Sequence, residues 1–292
     1  MMMMMIVFSG IVLMATTNVV VVDCISHVVV ENEIILWLSG ARKYFYRFNL
    51  IMLRLGMRGI GVLNYQSPAL SGEKHFIQHR LMEFLRGNPP VVFDVGANVG
   101  EYSLMLHQNF PHARLYSFEP QPDNYRKLAS ATANIPNIST FEMAVGQSSG
   151  MVKLYDRADK QGSTQATVIE GVIPEVFGST ASVVEVPITS LDEFTGKHGI
   201  KEIDFLKLDI EGNELQALRG ARQLIDTRSI RCIQFEFNEM NAFSGSFIRD
   251  FRALLPDYSL YRLLPRDLLP LSNDIHCTEI FAYQNIVALP SS

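Results

Sequence analysis

The sequence predicts an α/β protein: a seven-stranded, mostly parallel sheet with an antiparallel last strand, helices on both faces, and a helical extension at the amino terminus. Three observations carry that prediction. Apolar, β-branched runs alternate with helix-compatible segments from Val91 to Leu255, the pattern of repeated strand–helix crossovers. The first and fourth of these runs break at Gly96 and Gly212, each leading into a helical stretch. The last two runs, Tyr258 to Leu263 and Glu279 to Val287, have a loop between them but no helical pattern, so they are expected to form an antiparallel hairpin.

Taken in order, Met1 to Val22 carry no charged side chain, and Met1 to Met5 are a homopolymeric run. The length just reaches the roughly 20 apolar residues of a spanning helix. Ser9, Thr16, Thr17 and Asn18 dilute it, and neither a basic n-region nor a small-residue cleavage site marks a signal peptide. A membrane anchor, a loosely packed tail and an overcalled start codon are the three readings. If the stretch associates with a membrane, Arg42, Lys43, Arg47, Arg54 and Arg58 behind it place the catalytic part on the cytoplasmic side. The expected compartment is the cytoplasm.

Residues 23–88 read as the helical extension. Its last part, Ser71 to Gly87, is expected to be one helix, with Ser71 as cap, Glu73 in the first turn, and Gly87 then Pro89-Pro90 as the stop. Phe76, Ile77, Leu81, Phe84 and Leu85 form its apolar side. His75 and His79 lie four apart, but the glutamate of a zinc-binding His-Glu-x-x-His helix is absent, so they read as a solvated face.

Residues 89–288 read as the main domain. Expected strands are Val91 to Val95, Ala113 to Phe118, Ile138 to Met143, Phe205 to Leu208 and Ile230 to Phe237, followed by the hairpin pair. Expected helices follow Gly100, run from Gln121 to Ala133 with Pro122 in the tolerant first turn, run from Asn213 to Ile225, and lie around Phe247 to Leu255. A long insert, Ala144 to Ile203, holds two short candidate strands, Met151 to Tyr155 and Ser182 to Pro187. Between them lies a polar stretch rich in Gly, Ser and Thr that is read as an acceptor lid around Ser163, Thr164 and Gln165.

Composition narrows the function classes. The 292 residues are 48% hydrophobic, enough for a sizeable core. A net charge of −5 and a pI near 5.8, with no long basic run, argue against nucleic acid as partner. Cys24, Cys232 and Cys277 have neither disulfide-framework nor metal-ligand spacing, as expected of thiols in a reducing compartment.

The chemistry concentrates at strand ends. Asp94-Val-Gly-Ala-Asn98-Val-Gly100 joins a buried strand to a helix, with Gly96 allowing the tight turn and Gly100 the approach of a ligand. A dinucleotide site would show Gly-x-Gly-x-x-Gly. Here the third glycine is missing and an acid stands in front, which suits a ligand with a cationic end. Glu119 ends the second strand 19 residues beyond Gly100, where an acid that binds both ribose hydroxyls is expected. In Lys207-Leu-Asp209-Ile-Glu211-Gly212, strand alternation puts Lys207, Asp209 and Glu211 on one side. They serve either the ligand or an ion-pair network that shapes the sheet end, and both roles can hold at once. Glu236 and Asn238 end the next strand. With Asp209 they offer oxygens to a divalent cation such as magnesium, or they accept hydrogen bonds from loop backbone.

The ordered set of Asp94 to Gly100, Phe118-Glu119-Pro120, Ser190-Leu-Asp192, Lys207 to Gly212 with Glu214, Leu218 and Gly220-Ala221, then Phe235-Glu236, resembles the FkbM family of S-adenosylmethionine (SAM)-dependent methyltransferases. The resemblance runs from about Glu73 to Asn285 and implies a Rossmann-like fold, SAM as methyl donor, and methylation of a hydroxyl on a small-molecule or glycan acceptor. It implies that Asp94, Gly96 and Gly100 hold the methionine end of SAM, Glu119 the ribose, and Met143 and Ala144 the adenine, with Asn98 also counted among the cofactor-binding residues. For the chemical step Asp209 is the first candidate base, assisted by Glu211 or Glu236, and His276, in the last loop, is the second. A nicotinamide oxidoreductase and a SAM-binding module without catalysis are the rival readings.

Overall fold

The structure, a computed structural model, describes residues 7–8, 11–12 and 42–291 apart from 87, 161 and 164. The readings made for residues 1–22 therefore lie outside the described residues, except for the antiparallel pair Val7–Phe8 and Ile11–Val12. Among the described residues, no helix is long and apolar enough to cross a membrane. The chain divides into two compact units, Met1–Leu53 and Arg54–Ser292. Helix α1 (Arg42–Gly59) straddles the division and exposes Phe48, Ile51, Leu53 and Leu55. Everything described below belongs to the second unit.

The helix expected from Ser71 to Gly87 is shorter. Gly72 takes the N-cap in a left-handed conformation (φ 90°), because a Cβ there would lie 2.1 Å from the Leu264 carbonyl oxygen. Ser71 is not the N-cap residue; its Oγ donates to Glu73 Oε2 at 2.8 Å and accepts the Glu73 amide only at 3.5 Å. Helix α2 (Glu73–His79) stops where Arg80 leaves helical geometry, and a 3₁₀ turn, Leu81–Glu83, follows. That change of pitch seats Phe76, Ile77 and Leu81, all fully buried, on one side of the sheet.

The central sheet uses β1 (Val91–Val95), β2 (Arg114–Phe118), β3 (Ile138–Phe141), β7 (Phe205–Leu208), β8 (Ile233–Phe237), β9 (Tyr258–Leu263), β10 (Leu268–Pro270) and β11 (Gln284–Pro290), in the spatial order β10-β9-β11-β8-β7-β1-β2-β3. The expected antiparallel last strand is β11, which runs against both β8 and β9; the three-residue β10 is added at the edge. Helices α3 (Glu101–Asn109) and α4 (Pro122–Thr132) connect β1, β2 and β3. From β1 the chain steps outward to β2 and β3, then returns to build β7 and β8 on the other flank. The carboxyl ends of β1 and β7 thus form the point where strand order reverses, the position at which open α/β sheets bind ligands.

Alternation along the strands sorts the core. Phe93, Val95, Leu206 and Leu208 pack on one face with Phe118, Phe194 and Phe235. Val92 and Phe205 pack on the other with Phe76 and Leu106. Asp94 and Lys207 follow the second set and stand opposite each other in the β1–β7 register.

The insert has structure of its own. The third expected strand ends early, at Phe141, because Ala144 and Val145 (β4) pair with Ile188 and Thr189 of β6 (Ala181–Thr189) in a separate three-stranded sheet. Strand β5 (Gly150–Arg157) completes that sheet antiparallel to β6. Helices α5 (Val172–Phe177) and α6 (Leu191–His198) flank β6. The single helix expected from Asn213 to Ile225 is two, α7 (Glu214–Arg219) and α8 (Arg222–Asp226). They part at Gly220, where a Cβ would lie 2.1 Å from the Gly146 carbonyl oxygen. Asp192 explains part of the Ser-Leu-Asp motif: its carboxylate receives the Gln223 and Leu224 amides at 2.8 and 3.1 Å, capping α8 from another element. Asp192→Ala leaves those donors unmet, and chemical denaturation of the variant is expected to show a loss of about 1 kcal/mol. Unchanged stability would mean that the cap contributes nothing.

Candidate active site

A cleft of ≈ 560 Å³ opens at the carboxyl ends of β1, β2, β7 and β8. Its floor is the turn after β1. Gly96 has φ 84°, and a Cβ there would lie 1.8 Å from the carbonyl oxygen of Asp209, so two neighbouring strand ends approach at a distance only glycine allows. The Gly96 and Ala97 amides both donate to the Phe118 carbonyl at 2.9 Å, tying the turn to β2. Gly100 (φ 95°) is the N-cap of α3, with Leu128 behind it.

Glu119 is buried beside this turn. Its Oε2 accepts the Asn98 amide and its Oε1 the Gln121 amide, each at 2.8 Å. Each oxygen keeps a further lone pair for a ligand donor. Burial raises its pKa from 4.5 to about 7, against the two amide bonds that favour the charged form. Asn98, itself left-handed at φ 49°, has a buried Oδ1 without a partner among the described residues.

On the other flank, Lys207 is buried and pairs with Asp209 Oδ2 at 2.8 Å, while its Nζ stands 4.3 Å from the centre of the Tyr102 ring. Burial alone would lower the lysine pKa; Asp209, Asp94 and Glu73 outweigh it and raise it. Glu73 reaches this network from α2, accepting from Gln234 Nε2 at 3.0 Å. Beyond them, Asn238 Nδ2 donates to Glu236 Oε1 at 2.6 Å and to Glu211 Oε2 at 3.3 Å. Burial, then the Asp209 charge, pushes the pKa of both glutamates well above the ordinary value.

The structure brings most of the sequence-predicted residues together. Gly96, Asn98, Glu119, Met143 and Ala144 line one side of the cleft, and Asp209, Glu211 and Glu236 the other. Three expectations change. Asp94 does not line the cleft: it is wholly buried two residues before Gly96, where Ser103 Oγ donates to its Oδ2 at 2.6 Å and its Oδ1 has no partner among the described residues. Gly100 likewise stays behind the wall. His276 sits on the exposed four-residue helix α9 (Ile275–Thr278), outside the cleft lining, because Asp274 caps that turn through the His276 amide at 2.9 Å.

The divalent-cation set is also not assembled. Asn238 turns its NH₂ toward the glutamates, its Oδ1 is taken by the Met240 amide at 2.8 Å, and among the described residues no group of three His, Cys, Asp or Glu side chains has metal-binding geometry. Thr164 of the expected lid lies outside the described residues; around it, the described part of the insert is pinned to the cleft wall. Asp156 receives Gln121 Nε2, the Gly162 amide and Ser163 Oγ, and Thr167 Oγ1 donates to the Glu211 carbonyl at 2.9 Å. Sequence reasoning missed Tyr65, Tyr283, Asn213 and Thr167 in the lining. Nothing local marks them, since their positions depend on loops brought in from distant parts of the chain.

The family profile described as Methyltransferase FkbM domain matches residues 94–263. The chain belongs to the FkbM methyltransferase family. It is 22% identical over 199 residues to 2-O-methyltransferase NoeI of Sinorhizobium fredii, covering 65% of this chain and 81% of that protein. It is 24% identical over 214 residues to 31-O-demethyl-FK506 methyltransferase FkbM of Streptomyces tacrolimicus, covering 64% and 78%. The crystal structure of methyltransferase FkbM from Methylobacillus flagellatus overlays 74% of this chain on 47% of that one, at 17% identity and a TM-score of 0.43. As an FkbM member the protein is a SAM-dependent methyltransferase with the Rossmann-like fold expected from the sequence. That activity removes the nicotinamide and non-catalytic readings.

Proposed function

We propose that this enzyme transfers the methyl group of SAM to a hydroxyl oxygen of a small-molecule or glycan acceptor. One observation carries the reading. A single cleft joins a glycine cradle and a ribose-type acid, Glu119, to a carboxylate group, Asp209 with Glu211 and Glu236, on adjoining strand ends. The NoeI and FkbM relatives, both named for transfer at an oxygen, support the same chemistry. If the amino-terminal stretch spans a membrane, the basic residues behind it support a cytoplasmic side for the catalytic part.

The residues present fit SAM. Gly96 lets the two strand ends close into a cleft floor, Asn98 Oδ1 is an acceptor unmet among the described residues, and Glu119 has lone pairs for two hydroxyls. Met143 and Ala144 offer an apolar wall for the base. Asp94 acts as a positioning residue, fixing α3 beneath the turn through Ser103. When bound, SAM supplies an electrophilic sulfonium methyl, so the protein has to align the acceptor and take its proton. Asp209, held by Lys207 and open to the cleft, is placed to receive that proton. Glu211 and Glu236, joined through Asn238 and lining the same cleft, orient acceptor oxygens instead.

Thermal-shift titration tests the donor site: SAM and S-adenosylhomocysteine raise the Tm, by about 2.7 kcal/mol of stabilisation at a hundred times Kd, and NAD does not. No shift with either SAM species would sink the proposal. The pH dependence follows from Glu119. Ribose hydroxyls donate to the carboxylate, so SAM affinity weakens as pH falls below about 7, approaching tenfold per pH unit. The ligand-free protein has the opposite slope from this group: its raised folded-state pKa means stability present below 4.5 is lost as pH rises through about 7. Calorimetric Kd values for wild type and Glu119→Gln between pH 5 and 8 check it; equal slopes would remove Glu119 from the site.

A further inference from the structure

Two aromatic rings at the cleft mouth have no part in the donor site. Tyr65 and Tyr283 both line the cleft, in an edge-to-face pair with centroids 6.0 Å apart. Both lie outside the matched family segment, residues 94–263. Tyr283 precedes β11, whose Phe237↔Gln284 and Glu236↔Asn285 pairings set it beside the acceptor-side carboxylates. Asn285 Nδ2 donates to the Tyr283 hydroxyl at 3.0 Å, which orients that ring.

The chain just before Tyr65 is tied down. Val62 and Asn64 just before it are buried, the Leu63 amide donates to the Tyr283 carbonyl at 2.8 Å, and Asn64 Nδ2 donates to the Arg58 carbonyl at 3.1 Å. Yet the Tyr65 side chain is left 62% exposed. A large aromatic held in place and left uncovered at a cleft mouth loses little conformational entropy when a ligand covers it.

We infer that Tyr65, braced by Tyr283, is the acceptor-specificity residue, stacking on the apolar C–H face of a hydroxylated saturated ring whose hydroxyls meet Glu211 and Glu236. This rests on the methyl-transfer reading above. The juxtaposition of a flat ring with carboxylate acceptors suits a pyranose: its edge donates hydrogen bonds while its face is apolar. An acyclic polyol has the hydroxyls without the face.

The test uses the full-length protein with S-adenosylhomocysteine present. Saturation-transfer NMR is recorded with methyl glycosides of a hexose, a deoxyhexose and a hexuronic acid, and with sorbitol as the acyclic control. At least one glycoside is expected to show transfer to its ring C–H protons. Tyr65→Ala should weaken its Kd about tenfold, Tyr65→Phe should restore it, and the Kd for S-adenosylhomocysteine should stay unchanged in both. No ring-proton transfer from any glycoside, equal transfer to sorbitol, or a Tyr65→Ala variant that binds as well as wild type overturns the inference while S-adenosylhomocysteine binding persists. Loss of S-adenosylhomocysteine binding by the wild type would instead fail the donor reading itself.

Discussion

Gly96→Ala is expected to abolish SAM binding and to destabilise the fold by about 3 kcal/mol or more. Two independent costs add at this position. The backbone sits at φ 84°, which an L side chain rarely adopts, and the new methyl would lie 1.8 Å from the Asp209 carbonyl oxygen. That oxygen is backbone, so relief requires moving β7 away from β1, and the Asp209 amide bond to the Val95 carbonyl at 2.9 Å opposes such a shift. Gly100→Ala provides the graded comparison. Its φ of 95° is equally unfavourable, but its methyl meets only the flexible end of Leu128 at 3.0 Å. Denaturation midpoints should therefore rank wild type above Gly100→Ala above Gly96→Ala, and only the last should lose the thermal shift with SAM. A Gly96→Ala protein that keeps full SAM affinity would show that this turn does not form the donor floor.

Asp209→Asn is expected to lower kcat by a hundredfold to a thousandfold while the Kd for SAM changes by less than about threefold, because general-base contributions fall in that range. The asparagine keeps the shape and still accepts from Lys207, but it cannot take a proton from the acceptor. Breaking the ion pair also leaves Lys207 facing only Asp94 and Glu73 in a buried site, so some stability is lost along with activity. Single-turnover kinetics with labelled SAM separates the two effects, since a folding defect lowers the active fraction and leaves the rate of the remaining enzyme unchanged. Retention of the full single-turnover rate would remove Asp209 as base and move the role to the Glu211–Asn238–Glu236 group.

Much of the fold was legible because it is written in short-range pattern. The strands from Val91 to Phe237 were found within a few residues, and the antiparallel last strand followed from a missing crossover helix. Errors came where distant contacts overrode local signals. Ser71 looks like a cap, yet Gly72 takes the N-cap because Leu264 leaves no room for a side chain. Met143 looks like the end of a strand, yet the pairing of Ala144 with Ile188 draws the chain into a second sheet. His276 has the chemistry of a base, but no spacing rule says that its loop stays outside the cleft.

By itself, then, the sequence determined the strand–helix order, the glycine cradle, the buried acid at the second strand end and the Lys207 to Gly212 block. Each of these is a matter of periodicity or spacing within about 20 residues. Only the tertiary structure decided which groups meet. It placed Glu73 against Gln234 across 161 positions, set Asp94 behind the cleft rather than in it, turned the Asn238 amide toward two glutamates, and brought Tyr65 to Tyr283. The physical reason is common to all four. Periodicity tells which side of its own element a residue occupies, whereas its partners and its protonation are set by whatever other element the packed sheet brings within a few ångströms.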